Sequence, residues 1–419
     1  MIRIVMGLVV ILGLWPAAAS AQWLLIPMDF VQTNHLKADG HAFSVLQDGG
    51  VVNWLLNYRG GSFMIPDTAT NRLDARLRGV SFEAISDGDA DGIREIIRNE
   101  NMDEVLLEKP PRIAVYVPPN FQPWDDAVTL ALTYAEIPFD TVFDAEVLAG
   151  RLNEYDWLHL HHEDFTGQFG KFYYAFGMAP WYLEQKGLME DLADALGFAD
   201  VWRMKHAAAV EIRNYVEAGG FLFAMCSATD TIDIALGYLG SDIVPPEIDG
   251  SPMITNIVET RDDTRTFAFE GFSLVTNIAV YEYSNIDTSD YSRLRGAEGD
   301  YFTLFDFAAK HDPVPTMLTQ CHVNVINGFM GQTTGFHGDL LKRHVIVLAQ
   351  VDGTDEVRYL HGKRGQGTFT FLGGHDPEDY QHAVGDPPTD LDLYRSSPGY
   401  RLILNNVLFP AARKKPEKT

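Results

Sequence analysis

Residues 219–240, GGFLFAMCSATDTIDIALGYLG, constrain the fold of this chain more than any other stretch. Gly219 and Gly220 close a helix-like segment, Phe221–Met225 is a short apolar run of buried-strand type, and a helix begins near Thr229. Cys226 therefore stands at a strand-to-helix turn. Helix N-terminal amides favour a thiolate, and such a turn presents its side chain above the carboxyl edge of the sheet, where open α/β sheets hold their ligands. A strand buried on both faces needs parallel neighbours, and the preceding chain supplies them. Arg112–Val117, Phe139–Phe143 and Asp156–Leu160 read as strands, alternating with helices at Trp124–Ala135, Ala145–Leu152 and Lys205–Ala218. The crossovers are short, so residues 111–240 read as the first part of an α/β core with a doubly wound, mostly parallel sheet.

The same core resumes over 332–412. His344–Gln350, Glu356–Leu360 and Thr368–Leu372 are strands joined by glycine-containing turns too short for helical crossovers, so they are expected to be antiparallel. The last of them runs into GGHDPEDY, and a helix over Gly399–Leu408 precedes a basic tail at 413–419. Between the two parts, 241–331 has poor periodicity and reads as a β/loop insertion. Ahead of the core, 22–98 forms a small α/β unit. Its strands are expected at Trp23–Met28, Val51–Leu56 and Val80–Ile85, with helices after Pro66 and over Asn34–Leu46, the latter weakened by Gly40. Residues 99–110 read as a linker or peripheral helix. The segment NYRGGSF, 57–63, is a tight turn rather than a P-loop, because the Lys and Ser/Thr spacing is absent.

The 419 residues are 46% hydrophobic, enough for a substantial core, and carry 58 Asp and Glu against 32 Lys and Arg, for a formal charge of -26. Such an excess repels nucleic acid and anionic lipid surfaces, which leaves a small-molecule, peptide or carbohydrate-derived substrate as the partner class. Residues 1–21 combine Arg3, an apolar core over Val5–Trp15 and Ala19-Ser20-Ala21, the pattern of a cleaved signal peptide. The expectation is a secreted protein of periplasmic or extracellular location with no transmembrane segment after cleavage. Only two cysteines are present, Cys226 and Cys321, and an oxidising compartment permits them to pair.

Two constellations carry chemistry. In the first, His375 follows a strand ending in Gly373-Gly374 and so reaches the same sheet edge as Cys226. A thiol beside an imidazole makes a nucleophile and base, and Glu378 or Asp376 would orient the ring. In the second, the loop after Asp156–Leu160 holds His159, His161, His162, Glu163 and Asp164. His159 and His161 share one face if strand geometry persists. With His375 or His382 they form a three-ligand divalent-metal site with an open position, although the spacing matches neither HExxH nor a structural finger. His161, His162 and Glu163 otherwise line a polar pocket without metal, joined by Asp29 and Arg59 if the N-terminal unit packs over the same edge.

A strand ending in Cys226, a helix, and a late strand ending in Gly373-Gly374-His375 with an acid close behind together resemble the class I glutamine-amidotransferase-like superfamily, in its trehalose-utilisation-like branch. The resemblance covers about 111–240 and 340–410 and implies a flavodoxin-like core, a Cys226 nucleophile and a His375 base. The family places a glutamate two residues after the histidine, where this chain has Pro377, so the acid passes to Asp376 or Glu378. The N-terminal unit resembles secreted bacterial proteins loosely labelled asparagine-synthetase-like. Three functions follow as expectations. The first is a cysteine-dependent hydrolase of an amide or related acyl bond without cofactor. The second is a metal-assisted hydrolase or isomerase built on His159, His161 and His375. The third is a non-catalytic envelope or ligand-binding protein.

Overall fold

The computed structural model describes residues 22–119, 126–383 and 385–413. The expected signal peptide, the basic tail beyond Arg413, and Trp124 lie outside them. The N-terminal unit is an antiparallel sheet of five strands, β1 (Trp23–Ile26), β2 (Val52–Leu56), β3 (Ser62–Pro66), β4 (Glu83–Ile85) and β5 (Asp103–Leu107), in the order β4-β1-β3-β2-β5. The segment expected as a linker is thus β5, paired with β2, its Val105 and Leu107 buried by the alternation in DEVLL. β2 and β3 are joined by the 57–61 turn, where Asn57 and Arg59 take positive φ and a Cβ on Gly60 would come within 2.3 Å of the Met28 carbonyl oxygen.

Three helices belong to this unit: α1 (His35–Gln47), α2 (Ala69–Leu77) and α3 (Asp87–Asn99). Asn34 caps α1 by accepting from the Lys37 amide, and Ser86 with Asp89 forms a capping box on α3. α1 is buried almost along its whole length because it packs both on its own sheet and on helices of the core.

The core sheet contains ten strands. Its parallel part comprises β6 (Ile113–Tyr116), β7 (Asp140–Val142), β8 (Trp157–Leu160), β9 (Phe221–Met225) and, from the far end of the chain, β15 (Gly367–Leu372). Between the early strands lie α4 (Ala127–Ala135) and α5 (Asp144–Leu148), and the Val201–Glu217 helix leads into β9. The other strands are β10 (Tyr301–Leu304), β11 (Val325–Asn327), β12 (Phe336–His337), β13 (Ile346–Gln350) and β14 (Glu356–Arg364), all antiparallel. The order is β11-β10-β13-β14-β15-β9-β8-β6-β7, with β12 on β14. The architecture is mixed α/β in the doubly wound manner, and its sheet is half antiparallel rather than mostly parallel. β10 and β11 come from the expected insertion, which extends the main sheet instead of standing apart from it.

The insertion is tied to β14 by a buried ionic network. Arg358 donates to Asp300 at 2.7 Å and to Glu356 at 2.9 Å, while Arg295 bonds the same two carboxylates. Every charge in the set has an opposite partner, which is the condition for keeping ions in an apolar interior.

Gly40 is no helix weakener here. A Cβ at this position would lie 2.0 Å from the Ala135 carbonyl oxygen, so the glycine lets α1 seat directly against the end of α4. Gly40→Ala is expected to lower stability by about 1–3 kcal/mol, read as a shift in the urea midpoint.

Next to it Asp39 is fully buried and neither carboxylate oxygen has a hydrogen-bond partner among the described residues. Burial raises its pKa to about 7, against the opposing pull of Arg401. The folded state therefore holds a proton that the unfolded chain releases near pH 4, so the Asp39 contribution falls as pH rises from about 4 to 7 and stays low above that. Asp39→Asn is expected to flatten this slope, raising stability at pH 8 by roughly 2–4 kcal/mol and changing it little at pH 4. Equal effects at both values would exclude the ionisation.

Candidate metal centre

Three chain segments end at one edge of the parallel sheet. β8, β9 and β15 run side by side with Leu160 opposite Ala224 and Leu372 opposite Met225. The residues that follow them are His161, Cys226 and, after Gly373-Gly374, His375. The glycine pair is required, because a Cβ on Gly373 would meet the Thr334 carbonyl oxygen at 2.2 Å and Gly374 has φ of 97°.

His161, His162 and His375 each offer a ring nitrogen, and the three atoms lie within 4.8 Å of one another. The His161 and His375 rings meet edge to face with centroids 4.4 Å apart, and His162 stacks on His375 at 5.9 Å. His382 also stacks on His375 at 4.9 Å and turns its Nδ1 to Asp379, 3.0 Å away. Burial, reinforced by the neighbouring imidazoles, holds His375 well below the usual histidine range and brings His162 down to about 3, so both rings are neutral. A neutral imidazole is the form that binds a metal.

His159 lies behind this group rather than in it. One turn of pleat deeper in β8, its Nδ1 donates to the Phe223 carbonyl at 3.0 Å. The ring, kept neutral by burial, then has a bare Nε2, 3.3 Å from His161 Nδ1. His161 must therefore carry its proton on Nδ1, which also faces Asp126 Oδ1 at 3.2 Å. His161 Nε2 is buried and without a hydrogen-bond partner among the described residues. Asp126 is fixed as the N-cap of α4, accepting from the Val128 and Thr129 amides. Burial works to raise its carboxyl, but the hydrogen bond from His161 helps to hold it well below the usual carboxylate range. A carboxylate behind a histidine that presents its other nitrogen inward is the outer shell of a metal site. The sequence reading missed Asp126; the available signal was an Asp directly before the apolar helix AVTLALTYA.

The nucleophile constellation does not assemble. Both nitrogens of His375 lack a hydrogen-bond partner among the described residues, so neither Cys226, Asp376 nor Glu378 engages the ring. The loop turns at Pro377, where Asp376 accepts from the Glu378 amide and from Thr389 Oγ1 and Glu378 hydrogen-bonds Ser397. Cys226 does occupy a sharp turn, with φ of 50°, but its Sγ lies under the 331–333 segment and accepts from the Gln332 amide at 3.2 Å. Burial pushes the thiol up to about 11, with the Gln332, Thr333 and Ser227 amides only partly opposing it. Cys226 and Cys321 are both free thiols, so the permitted pairing does not occur.

Of the expected pocket residues, Glu163 accepts from the His161 amide at 2.7 Å and burial raises its pKa to about 8. Asp29 and Arg59 do not join the centre. They pair with each other at 2.7 Å, and Arg59 also binds Glu83, bracing the 57–61 turn inside the N-terminal unit.

No family model and no curated protein matches the chain. Among solved structures it is similar to two cytoplasmic proteins from Salmonella typhimurium. One is 12% identical over 72% of this chain and 100% of that one, with a TM-score of 0.34. The second is 13% identical with the same coverage and a TM-score of 0.33. A GH42 β-galactosidase aligns at 10% identity over 64% of this chain and 28% of the other, with a TM-score of 0.28. Both Salmonella proteins are named as cytoplasmic, unlike the secreted, periplasmic or extracellular location expected from residues 1–21, and that expectation is not carried further. Likenesses this distant carry no statement about a site or an activity. Among the described residues no helix is long and apolar enough to cross a membrane.

The shielding of Cys226 has a direct readout. In a Cys321→Ser background, Ellman's reagent at pH 7 is expected to label Cys226 in the native protein at least about tenfold more slowly than in the unfolded chain. Equal rates would return Cys226 to candidacy as a nucleophile.

Proposed function

We propose that this protein is a metal-assisted hydrolase or isomerase acting on a small-molecule or peptide-derived substrate, with a divalent cation held by His161, His162 and His375. The observation that supports it is the convergence of three neutral-capable ring nitrogens within 4.8 Å at one sheet edge. Zn–N bonds of about 2.0–2.1 Å in a tetrahedron set ligand nitrogens about 3.4 Å apart, so the rings need to close by no more than about 1.4 Å. The donor set is all imidazole, which suits zinc and similar transition metals and disfavours magnesium and calcium. Three protein ligands leave a coordination position open, where the cation would acidify a bound water or polarise a carbonyl.

The protein's own residues supply the framework. Asp126 fixes the tautomer and the aim of His161, and His159, anchored on the Phe223 carbonyl, closes that hydrogen-bond chain from below. Glu163 grips the His161 backbone from the opposite side and leaves a carboxyl beside His162 at the wall of a cavity.

The purified protein is expected to hold about one transition-metal ion per chain by elemental analysis. His161→Ala or His375→Ala should abolish that stoichiometry, and Asp126→Asn should weaken zinc affinity by about 10–100-fold in a chelator competition. Cys226→Ser should leave it unchanged. Active protein free of zinc, manganese, iron and cobalt would overturn the assignment.

A further inference from the structure

The segment from Gly331 to Thr334 lies over Cys226 as a close-fitting strap. A Cβ on Gly331 would come within 3.0 Å of both Cys226 Sγ and the His375 amide nitrogen, so only glycine allows so near an approach. The Thr334 hydroxyl closes the turn onto the Gly331 carbonyl at 3.1 Å, and Gln332 Nε2 ties it to the Gly170 carbonyl at 2.8 Å. Two buried carboxyls from separate elements hold the residues that follow. Asp230 Oδ1, on the Ala228–Gly237 helix, accepts from Thr333 Oγ1 at 2.9 Å, and Asp287 Oδ1 accepts from the Thr334 amide at 2.9 Å.

Neither carboxyl has the partners that an ion needs in such a place. Asp230 is fully buried and Asp287 is 9% exposed; among the described residues the Oδ2 atom of each lacks a hydrogen-bond partner, and neither side chain forms an ion pair. Asp300 and Glu356 differ, since Arg295 and Arg358 meet their charges. Lys171 faces Asp230, but its Nζ donates to the Val275 and Glu282 carbonyls, both at 2.7 Å. We infer that the strap is a proton-operated cover, which stays over Cys226 while Asp230 and Asp287 are protonated and is released by their ionisation, opening the thiol to solvent. The inference is independent of the metal reading.

The direction of the response follows from the surroundings of the pair. Burial, reinforced by the Asp287 charge, raises Asp230 well above the usual carboxylate range, and burial raises Asp287 to about 7. Asp164 adds to the repulsion on Asp230, and Glu282 to that on Asp287. Tyr283 and Cys226 also face Asp230, but burial raises both, Cys226 to about 11, so they stay uncharged near neutral pH. In the open form both carboxyls meet water and ionise near pH 4. The closed strap therefore holds protons that the open one releases, and closure weakens as pH rises. The opening equilibrium grows about tenfold per pH unit for each carboxyl, from about pH 4 until that carboxyl ionises in place. Above pH 7 the remaining dependence comes from Asp230.

Labelling of Cys226 by 4,4′-dithiodipyridine in Cys321→Ser protein tests the inference. Each native rate is divided into that of the urea-unfolded chain at the same pH, so that the thiol's own ionisation cancels. This protection is expected to fall at least about tenfold from pH 6 to pH 8. In the Asp230→Asn/Asp287→Asn double variant, which keeps both acceptor oxygens but cannot ionise, it should stay constant within about twofold. Hydrogen exchange separates local release from global unfolding: at pH 8 the amides of 331–334 should be protected at least about tenfold less than those of Phe221–Met225. Retained protection of Phe221–Met225 also shows that the double variant is folded. Equal protection of Cys226 at pH 6 and pH 8 would overturn the inference, as would a fall that persists in the double variant. Equal exchange protection of the strap and Phe221–Met225 at pH 8 would do the same, since the strap would then leave only when the whole chain unfolds. If the double variant does not fold, the pH comparison and the exchange data on the parent protein decide alone.

Discussion

The site exists because β8, β9 and β15 lie parallel and in register. Strands in parallel pairs all end at the same edge, so whatever residue follows each strand is delivered to one place irrespective of its distance along the chain. Here that placement joins His161 and His162 from the first half of the core to His375 from its last strand, with Cys226 between them. Hydrogen bonds across the turns make the edge rigid: the Cys226 amide donates to the Gly374 carbonyl and the Ala228 amide to the His161 carbonyl. A slip of one residue in β15 would turn its side chains to the opposite face and take His375 out of the cluster.

Burial then decides what each group at that edge can do. Removing a charge from water is costly, so His162 and His375 stay neutral and the Cys226 thiol stays protonated. The same physics that qualifies the imidazoles as ligands disqualifies the thiol as a nucleophile. The difference lies in their partners. Cys226 Sγ is covered by backbone amides of the 331–333 segment, while the inward nitrogens of His161 and His375 have no partner among the described residues. That covering segment is held in turn by the β14 network, in which Arg358 bonds the Thr334 carbonyl as well as Asp300 and Glu356. The insertion therefore acts on the site from a distance, by keeping a lid of backbone over the sulfur.

Much of the framework was legible in local pattern. Apolar runs with glycine turns marked β9, β13 and β15, and short links marked the antiparallel strands, because burial on two faces and chain reach leave few alternatives. β5 was hidden by its acidic start and by a three-residue gap from the preceding helix that reads equally as a linker. β3 was hidden inside a segment read only for its turn. His159 was placed with His375 on the correct face but at the wrong depth, since two residues along a strand amount to almost 7 Å, which sets it beneath His161 instead of beside it. Asp126 was missed because its role depends on a helix N-terminus from another crossover reaching over β8.

What the sequence determined by itself was which residues stand at strand ends, since a residue's position after an apolar run is a local property. That was enough to single out Cys226, His161, His162 and His375. Only the tertiary structure decided which of them are available for chemistry, because availability depends on what remote segments bring to each atom. The 331–333 segment covers the thiol, Asp126 and His159 fix the proton of His161, and Asp376 bonds to the Glu378 amide and to Thr389. The balance between a cysteine nucleophile and a histidine-bound metal is therefore set by packing over long sequence distances, through desolvation and hydrogen-bond satisfaction, which no spacing of residues along the chain encodes.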